Sequence, residues 1–172
     1  MNAIRRLRPM LCATALALAG VGARADELRN WFDDPFFAIS AARPGCPEPA
    51  GPRVTLAERQ QQSHRRAEKG TTCWLARDAA CERPLAYAYD ADIAREIQTA
   101  VRGRALFSDA SLWVTVQGRV VYVEGCVARD AQAGEIEAFV RALPHVQQAI
   151  AIVTADPRSR VPYRLYAPPP LR

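Results

Sequence analysis

The cysteines are the residues whose number and spacing say most about possible chemistry. The chain has 172 residues and five cysteines; Cys12 lies in an N-terminal apolar run, and Cys46, Cys73, Cys81 and Cys126 follow it. None of these four forms the C-x-x-C spacing typical of zinc or c-type haem sites. An even number of cysteines in an exported chain predicts two disulfides instead, with three possible pairings. We therefore expect disulfides, no metal and no cofactor.

The histidines and acids form no recognisable catalytic pattern. The chain has two histidines, His64 and His145, which lie on opposite sides of a predicted hairpin. The motifs G-x-S-x-G, H-E-x-x-H and the P-loop are missing. The polar segment around His64 favours a solvated or hydrogen-bonded side chain. We expect binding rather than enzymatic activity.

The N terminus has the order of segments found in secretory signal peptides. Three arginines lie between Arg5 and Arg8, an apolar run extends from Leu11 to Val21, and Ala23-Arg24-Ala25 supplies the small residues of a cleavage site. The apolar run is too short to cross a bilayer as a helix. We expect cleavage after Ala25, a periplasmic mature protein, and no transmembrane segment once residues 1–25 are removed.

The charge distribution argues against nucleic-acid binding. The chain has 23 basic and 18 acidic residues, a net charge of +5. Four of the arginines and none of the acids lie in residues 1–25, so the mature chain is nearly neutral and keeps no long basic run. Residues 157–172 contain four arginines and no acid. We expect this Pro-rich, basic tail to be flexible or polyproline-like.

Residues 26–86 read as a cysteine-containing extension. Four aromatic residues lie between Trp31 and Phe37, and we expect them to dock onto the folded body, because Asp33 and Asp34 would be repelled by an anionic membrane. Residues 44–52 are rich in Pro and Gly, which indicates an extended connector. Thr55 and Glu58 then fit a capping box at the start of a polar helix that ends at Gly70.

Residues 87–156 have clearer periodicity. Asp90 or Asp92 is predicted to cap a first helix with an apolar face, which ends near Gly103. Two alternating strands follow on either side of a tight turn at Gly118. Asp130 is predicted to start a second helix that stops at Pro144, and residues 146–153 read as a last strand. The predicted order is helix, strand, strand, helix, strand.

This order, together with the residues at the turns, resembles the BON domain (bacterial OsmY and nodulation domain). The resemblance covers about residues 88–154 and departs at His145, where the family usually has glycine. The matching residues are Asp92, Ile93, Val114, Val116, Gly118, Val121, Val123, Gly125, Val127, Leu143, Pro144 and Val146.

The resemblance implies an α+β sandwich with helices on one sheet face, and an envelope protein without catalysis. Proteins of this family are expected to bind phospholipid membranes or envelope partners, and some are linked to osmotic or envelope stress. Our first expectation is binding to anionic phospholipid. The candidate contacts are the arginines of the first helix and of the tail: Arg95, Arg102, Arg104, Arg158, Arg160 and Arg164. The alternative is a protein-interaction subunit that uses the aromatic segment or an apolar sheet face.

The strand alternation leaves one sheet face without a predicted cover. Leu112, Val114, Val116, Val121, Val123 and Val127 share the face that packs on the helices, where Gly125 is expected to let a helix approach closely. The opposite face carries Trp113, Thr115, Val120, Tyr122 and Cys126, which is too apolar for a face in water. We expect residues 26–86 to cover it, and we favour the pairs Cys73–Cys81 and Cys46–Cys126. The competing interpretation is a partner site at which Cys126 links two chains.

Overall fold

The computed structural model of the chain describes residues 27–73 and 81–166. The predicted signal peptide and residues 167–172 of the predicted tail lie outside these ranges. The helices are α1 (Leu56–Gly70), α2 (Asp90–Ala100) and α3 (Gln132–Arg141). The strands are β1 (Phe36–Ala41), β2 (Ser111–Gln117), β3 (Val120–Cys126) and β4 (Gln148–Thr154). Short 3-10 turns at Ala86–Tyr89 and Ala105–Phe107 precede α2 and β2.

The strands form one mixed sheet in the order β1-β2-β3-β4. β2 and β3 make an antiparallel hairpin, and β4 pairs parallel with β3 after α3 has crossed over. The predicted α+β order of residues 87–156 is therefore confirmed. β1 adds a fourth strand, antiparallel to β2, from the extension. Only three strands were predicted, because the short FFAISA segment has no clean alternation and is stabilised by the edge of β2 rather than by its own pattern.

One face of the sheet builds the hydrophobic core. Leu112, Val114, Val121 and Val123 are fully buried there. Burial of an apolar side chain of this size contributes about 1.5–3 kcal/mol. The helix residues that pack on this face are also fully buried: Ile93 and Ile97 from α2, Ile136 and Val140 from α3.

The extension covers the opposite face, as expected. α1 lies over the hairpin: Lys69 Nζ is 5.8 Å from the centre of the Tyr122 ring. A Cβ added to Gly118 would lie 3.2 Å from the Lys69 side chain. α1 begins with the predicted capping box, in which Glu58 N donates to Thr55 Oγ1 at 3.2 Å and Thr55 N donates to Glu58 Oε2 at 2.7 Å. The hydrogen bond from the Thr55 backbone is the main cause of the lowered pKa of Glu58.

A buried ion pair joins the aromatic segment to α1. Arg66 donates to both carboxylate oxygens of Asp34, at 2.9 and 2.6 Å, and the two residues are only 9% and 5% exposed. The Arg66 guanidinium lies 3.8 Å from the centre of the Phe32 ring, a cation–π arrangement. Trp31 Nε1 donates to the Val54 carbonyl at 2.8 Å. The aromatic segment therefore docks on the body, as predicted.

The predicted caps of α2 and α3 are wrong. No side chain caps either helix. Asp90 instead accepts hydrogen bonds from Gly118 N at 2.6 Å and Arg119 N at 2.8 Å, in the two-residue turn where both residues have positive φ. Burial raises the pKa of Asp90. Asp130 accepts from Ala155 N at 3.2 Å. The Gln132 side-chain oxygen accepts hydrogen bonds from two main-chain N–H groups that precede α3. Sequence spacing could not separate a cap from these long-range contacts.

Two unusual backbone positions occur, one in β3 and one in the loop before β4. Gly125 has a φ of +143°, and a Cβ there would lie 2.1 Å from the Ser111 carbonyl oxygen. The close approach at Gly125 is therefore that of the neighbouring strand, not of a helix as we expected. His145 has a φ of +65°. The chain thus adopts at His145 the left-handed conformation that glycine adopts most easily.

Two cysteine pairs lie at disulfide distance. Cys46 and Cys126 are 2.00 Å apart at sulfur and 80 residues apart in sequence. Cys73 and Cys81 are separated by 8 residues. This is the pairing that we favoured, and it fastens the extension to the second face of the sheet.

The expected flexibility of the tail is wrong as far as Tyr166. Tyr163 is 7% exposed, and its hydroxyl donates to the Pro47 carbonyl at 3.0 Å. The main chain also pairs with the connector: Ala50 N donates to Arg164 O at 2.7 Å, and Tyr166 N donates to Glu48 O at 3.0 Å. The Pro-rich composition did not indicate this docking, because it depends on a partner segment 116 residues earlier in the chain, as the pairing of Leu165 with Pro49 shows.

Candidate functional site

Most of the predicted arginine contacts meet at one end of the sheet. β1, β3 and β4 finish there and β2 begins: Ala41 lies opposite Ser111, Ser111 opposite Cys126, and Cys126 opposite Thr154. The loop after α2 and the start of the tail reach the same end. We give the name basic end to five arginines of this region: Arg43, Arg102, Arg104, Arg158 and Arg160.

Arg102 and Arg104 flank an apolar groove. They lie in the loop after α2, where the helix ends at Ala100 and Gly103 has a φ of +69°. The groove has a volume of about 530 Å³. Both arginines are exposed, and Arg104 Nε donates to the Ala100 carbonyl at 3.3 Å. The apolar lining comes from β1 and from the loop: Ala38, Ile39, Val101, Ala105 and Phe107.

The start of the tail brings Arg158 and Arg160 to this end. Both residues are exposed. Their segment is held by a turn in which Arg158 N donates to Asp156 Oδ1 at 3.0 Å and Ser159 Oγ donates to Asp156 O at 2.9 Å. Within residues 27–73 and 81–166, no acid forms an ion pair with any of four arginines: Arg102, Arg104, Arg158 and Arg160. Four guanidinium groups are therefore available to an anion from solution.

Arg43 is a member of the basic end that the sequence analysis missed. Its main chain exchanges hydrogen bonds with the Ser111 side chain, which donates to Arg43 O at 3.2 Å and accepts from Arg43 N at 2.8 Å. Its Nε is buried, and within the described part of the chain it has no hydrogen-bond partner. Arg43 lines a shallow depression with Ser108, Asp109 and Pro157. No local signal marks it, because its position depends on the pairing of β1.

Two predicted contacts lie elsewhere and are already engaged. Arg95 forms an ion pair with Asp92, which also pairs with Arg83. Arg164 forms an ion pair with Glu58 at 2.7 Å and donates to the Arg53 carbonyl. The Arg83 hydrogen bond is the main cause of the lowered pKa of Asp92. Arg95 and Arg164 therefore stabilise local structure and do not belong to the basic end.

The acids of this end are held by the protein itself. Asp109 Oδ1 accepts from Gln132 Nε2 at 3.1 Å. Asp130 and Asp156 accept main-chain hydrogen bonds. Arg129 pairs with Glu135 at 2.7 Å, and this contact lowers the pKa of Glu135. The donors to Asp109, Asp130 and Asp156 are neutral, so these carboxylates keep their charge, but the five arginines of the basic end outnumber them and the region is net positive.

A second cavity, of about 290 Å³, lies between α1 and the covered sheet face. Glu124 and Tyr122 line it together with Thr115, whose hydroxyl is buried and has no hydrogen-bond partner among the described residues. Burial raises the pKa of Glu124, and the nearby Arg164 partly opposes this shift. The cavity is polar and mixed in charge, so it does not single out one class of ligand.

In the two described ranges, no group of three or more His, Cys, Asp or Glu side chains is arranged to hold a metal ion. His64 pairs with Glu68 at 3.1 Å on the surface of α1. Among the described helices, none is long and apolar enough to cross a membrane.

Comparison with known proteins identifies the domain that carries Arg102 and Arg104 of the basic end. Residues 89–152 match the family model of the BON domain. No curated protein and no solved structure is significantly similar to the chain. At the family level, a BON domain indicates a phospholipid-binding protein of the cell-envelope type. The chain therefore carries a BON domain at residues 89–152, built from α2, β2, β3, α3 and most of β4, and the preceding segment folds over the second face of its sheet.

Proposed function

We propose that this protein binds anionic phospholipid membranes through the basic end. The observation that carries the proposal is the position of Arg102 and Arg104, two exposed arginines without acidic partners, beside the apolar groove. The groove offers apolar surface to the acyl or glycerol part of a lipid, and the guanidinium groups pair with its phosphate. Each basic residue near an anionic membrane contributes about 1 kcal/mol.

We also propose that the protein acts in the periplasm, after export and cleavage behind Ala25, and that it acts by binding rather than by catalysis. The signal-like order of residues 1–25 supports export. The two disulfides support an oxidising compartment. BON domains are generally non-catalytic, which supports a binding role. Mass spectrometry of the mature protein tests the location: an N terminus at Asp26 in the periplasmic fraction is expected, and an intact Met1 in the cytoplasm would contradict it.

The alternative, a protein-interaction subunit that uses the aromatic segment or the apolar sheet face, receives less support. The aromatic residues Trp31, Phe32 and Phe36 contact Val54, Arg66 and Arg53 of the same chain. The apolar sheet face lies under α1, and Cys126 pairs within the chain. Both surfaces that were offered for a partner are therefore occupied internally.

Flotation of the disulfide-bonded protein with neutral and anionic vesicles tests the lipid proposal. Binding to vesicles with phosphatidylglycerol, and not to pure phosphatidylcholine, is expected. The variants Arg102→Gln/Arg104→Gln and Arg158→Gln/Arg160→Gln should each weaken binding on the order of 30-fold, because each removes two charges worth about 1 kcal/mol apiece. Higher salt should weaken it further.

The matched control is Arg95→Gln, which removes an arginine that is paired with Asp92. It should leave vesicle binding nearly unchanged. Point substitutions are preferable to truncation at Asp156, because truncation also removes the buried Tyr163. Equal losses in Arg95→Gln and Arg102→Gln/Arg104→Gln would reject the basic end as the site, and absence of binding to anionic vesicles would reject the lipid proposal.

A further inference from the structure

The shorter disulfide lies against a buried guanidinium. Arg119 Nη1 donates to Cys81 Sγ at 2.8 Å and to Cys73 Sγ at 3.4 Å. Arg119 is 6% exposed, and its Nε donates to the His145 carbonyl at 2.9 Å. The guanidinium carbon lies 5.1 Å from the centre of the Tyr89 ring. The positive charge is therefore held in place beside both sulfur atoms by the surrounding fold.

A fixed positive charge changes the chemistry of a cysteine pair. The guanidinium group stays protonated at every ordinary pH. A cation and an N–H donor beside sulfur favour the thiolate over the thiol, and so lower the thiol pKa. A thiolate of lower pKa leaves faster in thiol–disulfide exchange, and it stabilises the reduced form of the pair.

The second disulfide has different neighbours. The Tyr163 hydroxyl lies 3.6 Å from Cys46 Sγ and 3.7 Å from Cys126 Sγ. The Ser111 carbonyl oxygen lies 3.7 Å from Cys46 Sγ. These groups are neutral, and Cys126 is fully buried. Burial among neutral groups disfavours a thiolate, so this bridge should resist exchange.

We propose that Cys73–Cys81 is a redox-active disulfide that exchanges with external dithiols, whereas Cys46–Cys126 is a structural one. The half-buried Cys81 is the point of attack, since Cys73 is only 5% exposed. A thiolate of the dithiol attacks Cys81 Sγ and the S–S bond breaks. Cys73 Sγ leaves with the bonding electron pair as a thiolate beside Arg119.

The second thiol of the reductant completes the exchange. It attacks the reductant's own sulfur in the mixed disulfide, and Cys81 Sγ leaves as a thiolate 2.8 Å from Arg119 Nη1. Two electrons pass from the dithiol to the protein, the dithiol becomes a disulfide, and its two protons pass to the protein thiolates or to water. Reduction opens the short link between α1 and the turn before α2, while Cys46–Cys126 still holds the extension.

Titration of the full, oxidised protein with reduced and oxidised dithiothreitol tests the difference between the two bridges. Free thiols are trapped with a maleimide at each ratio, and each cysteine is assigned by peptide mass. Cys73–Cys81 should open at a ratio of reduced to oxidised reagent about tenfold lower than that for Cys46–Cys126. Simultaneous opening, or earlier opening of Cys46–Cys126, would overturn the proposal.

The role of Arg119 is tested by the pH dependence of Cys81 alkylation in protein reduced only at the short bridge. The midpoint in the unsubstituted protein should lie at least about one pH unit below the ordinary thiol value of about 8.5. Arg119→Gln should move it back toward that value, Arg119→Lys should retain part of the shift, and Arg129→Gln, at an exposed arginine, should change nothing. Thermal unfolding checks that each variant is folded.

The unsubstituted protein decides the outcome even if Arg119→Gln does not fold. An ordinary midpoint for Cys81 in that protein contradicts the proposal directly. A low midpoint that survives in a folded Arg119→Gln variant contradicts the assignment to the guanidinium.

Discussion

On one face of the sheet, Leu112 and Val123 pack against apolar residues of α2 and α3. On the other face, α1 contributes the buried Arg66 and the half-buried Lys69. The first face depends on the removal of apolar surface from water, which is not directional. The second depends on specific partners for charged groups, so the loss of one partner should cost more than the contact itself contributes. The comparison shows how a polar helix can cover a half-apolar sheet face.

The largest effect is expected from the disulfide that ties the covered face to the extension. Replacing both Cys46 and Cys126 with Ala should lower the free energy of unfolding by about 4.5 kcal/mol, because the bridge closes a loop of 80 residues. The same change at Cys73 and Cys81, 8 residues apart, should cost about 2.5 kcal/mol. Urea unfolding of both variants measures the difference, and equal losses would show that loop length does not govern it.

The buried ion pair should come next. Arg66→Met leaves the Asp34 carboxylate buried without its partner and should cost about 4 kcal/mol. The double variant Asp34→Leu/Arg66→Met should recover most of this loss, since neither charge is then buried alone. Arg65→Met, at the exposed neighbour on α1, is the control and should change stability by less than about 0.5 kcal/mol. If the double variant is no more stable than Arg66→Met, the lost stability comes from the missing ion pair and not from a charge left buried alone.

The core face should respond less sharply to a single change. Leu112→Ala removes a fully buried side chain and should cost about 3 kcal/mol, from lost apolar burial and the cavity left behind. Leu85→Ala, at a leucine that is 51% exposed, is the matched control and should have little effect. Thermal or urea unfolding compares the two. A small loss at Leu112 would show that the core collapses around the deletion.

The smallest effect concerns the pH dependence of the covered face. Burial raises the pKa of Glu124 above its ordinary value of 4.5, so the folded state favours the protonated carboxyl. Its contribution to stability is therefore present below pH 4.5 and is lost as the pH rises through the raised value. Glu124→Gln should therefore reduce the fall in the free energy of unfolding as the pH rises through this range. The share of the fall that comes from Asp90, whose pKa is also raised by burial, should remain.

Urea midpoints measured across this pH range for both proteins test the sign. Tyr163, whose pKa is raised to about 12 chiefly by burial, stays neutral throughout and does not contribute. Unchanged slopes would show that the Glu124 carboxyl is solvated in the native protein.

The candidate site was only partly predictable. Six arginines were predicted as contacts. Four of them, Arg102, Arg104, Arg158 and Arg160, lie at one end of the sheet, while Arg95 and Arg164 form ion pairs elsewhere. Composition shows that a residue is basic, but a neighbouring acid in space decides whether its charge is available. Arg43 was missed for the same reason, since it reaches this end through the pairing of β1 with β2.

Features that depend on near neighbours could be predicted from the amino-acid sequence alone. Alternation and helical periodicity predicted β2, β3, α2 and α3, and the spacing of Thr55 and Glu58 predicted the start of α1. The fourth strand, the docking of the tail at Tyr163 and the role of Asp90 at the hairpin turn follow from the tertiary fold and not from local pattern. Each of these contacts joins segments at least 28 residues apart. Their free energy comes from partners that local periodicity does not encode, so they become visible only once the chain is folded.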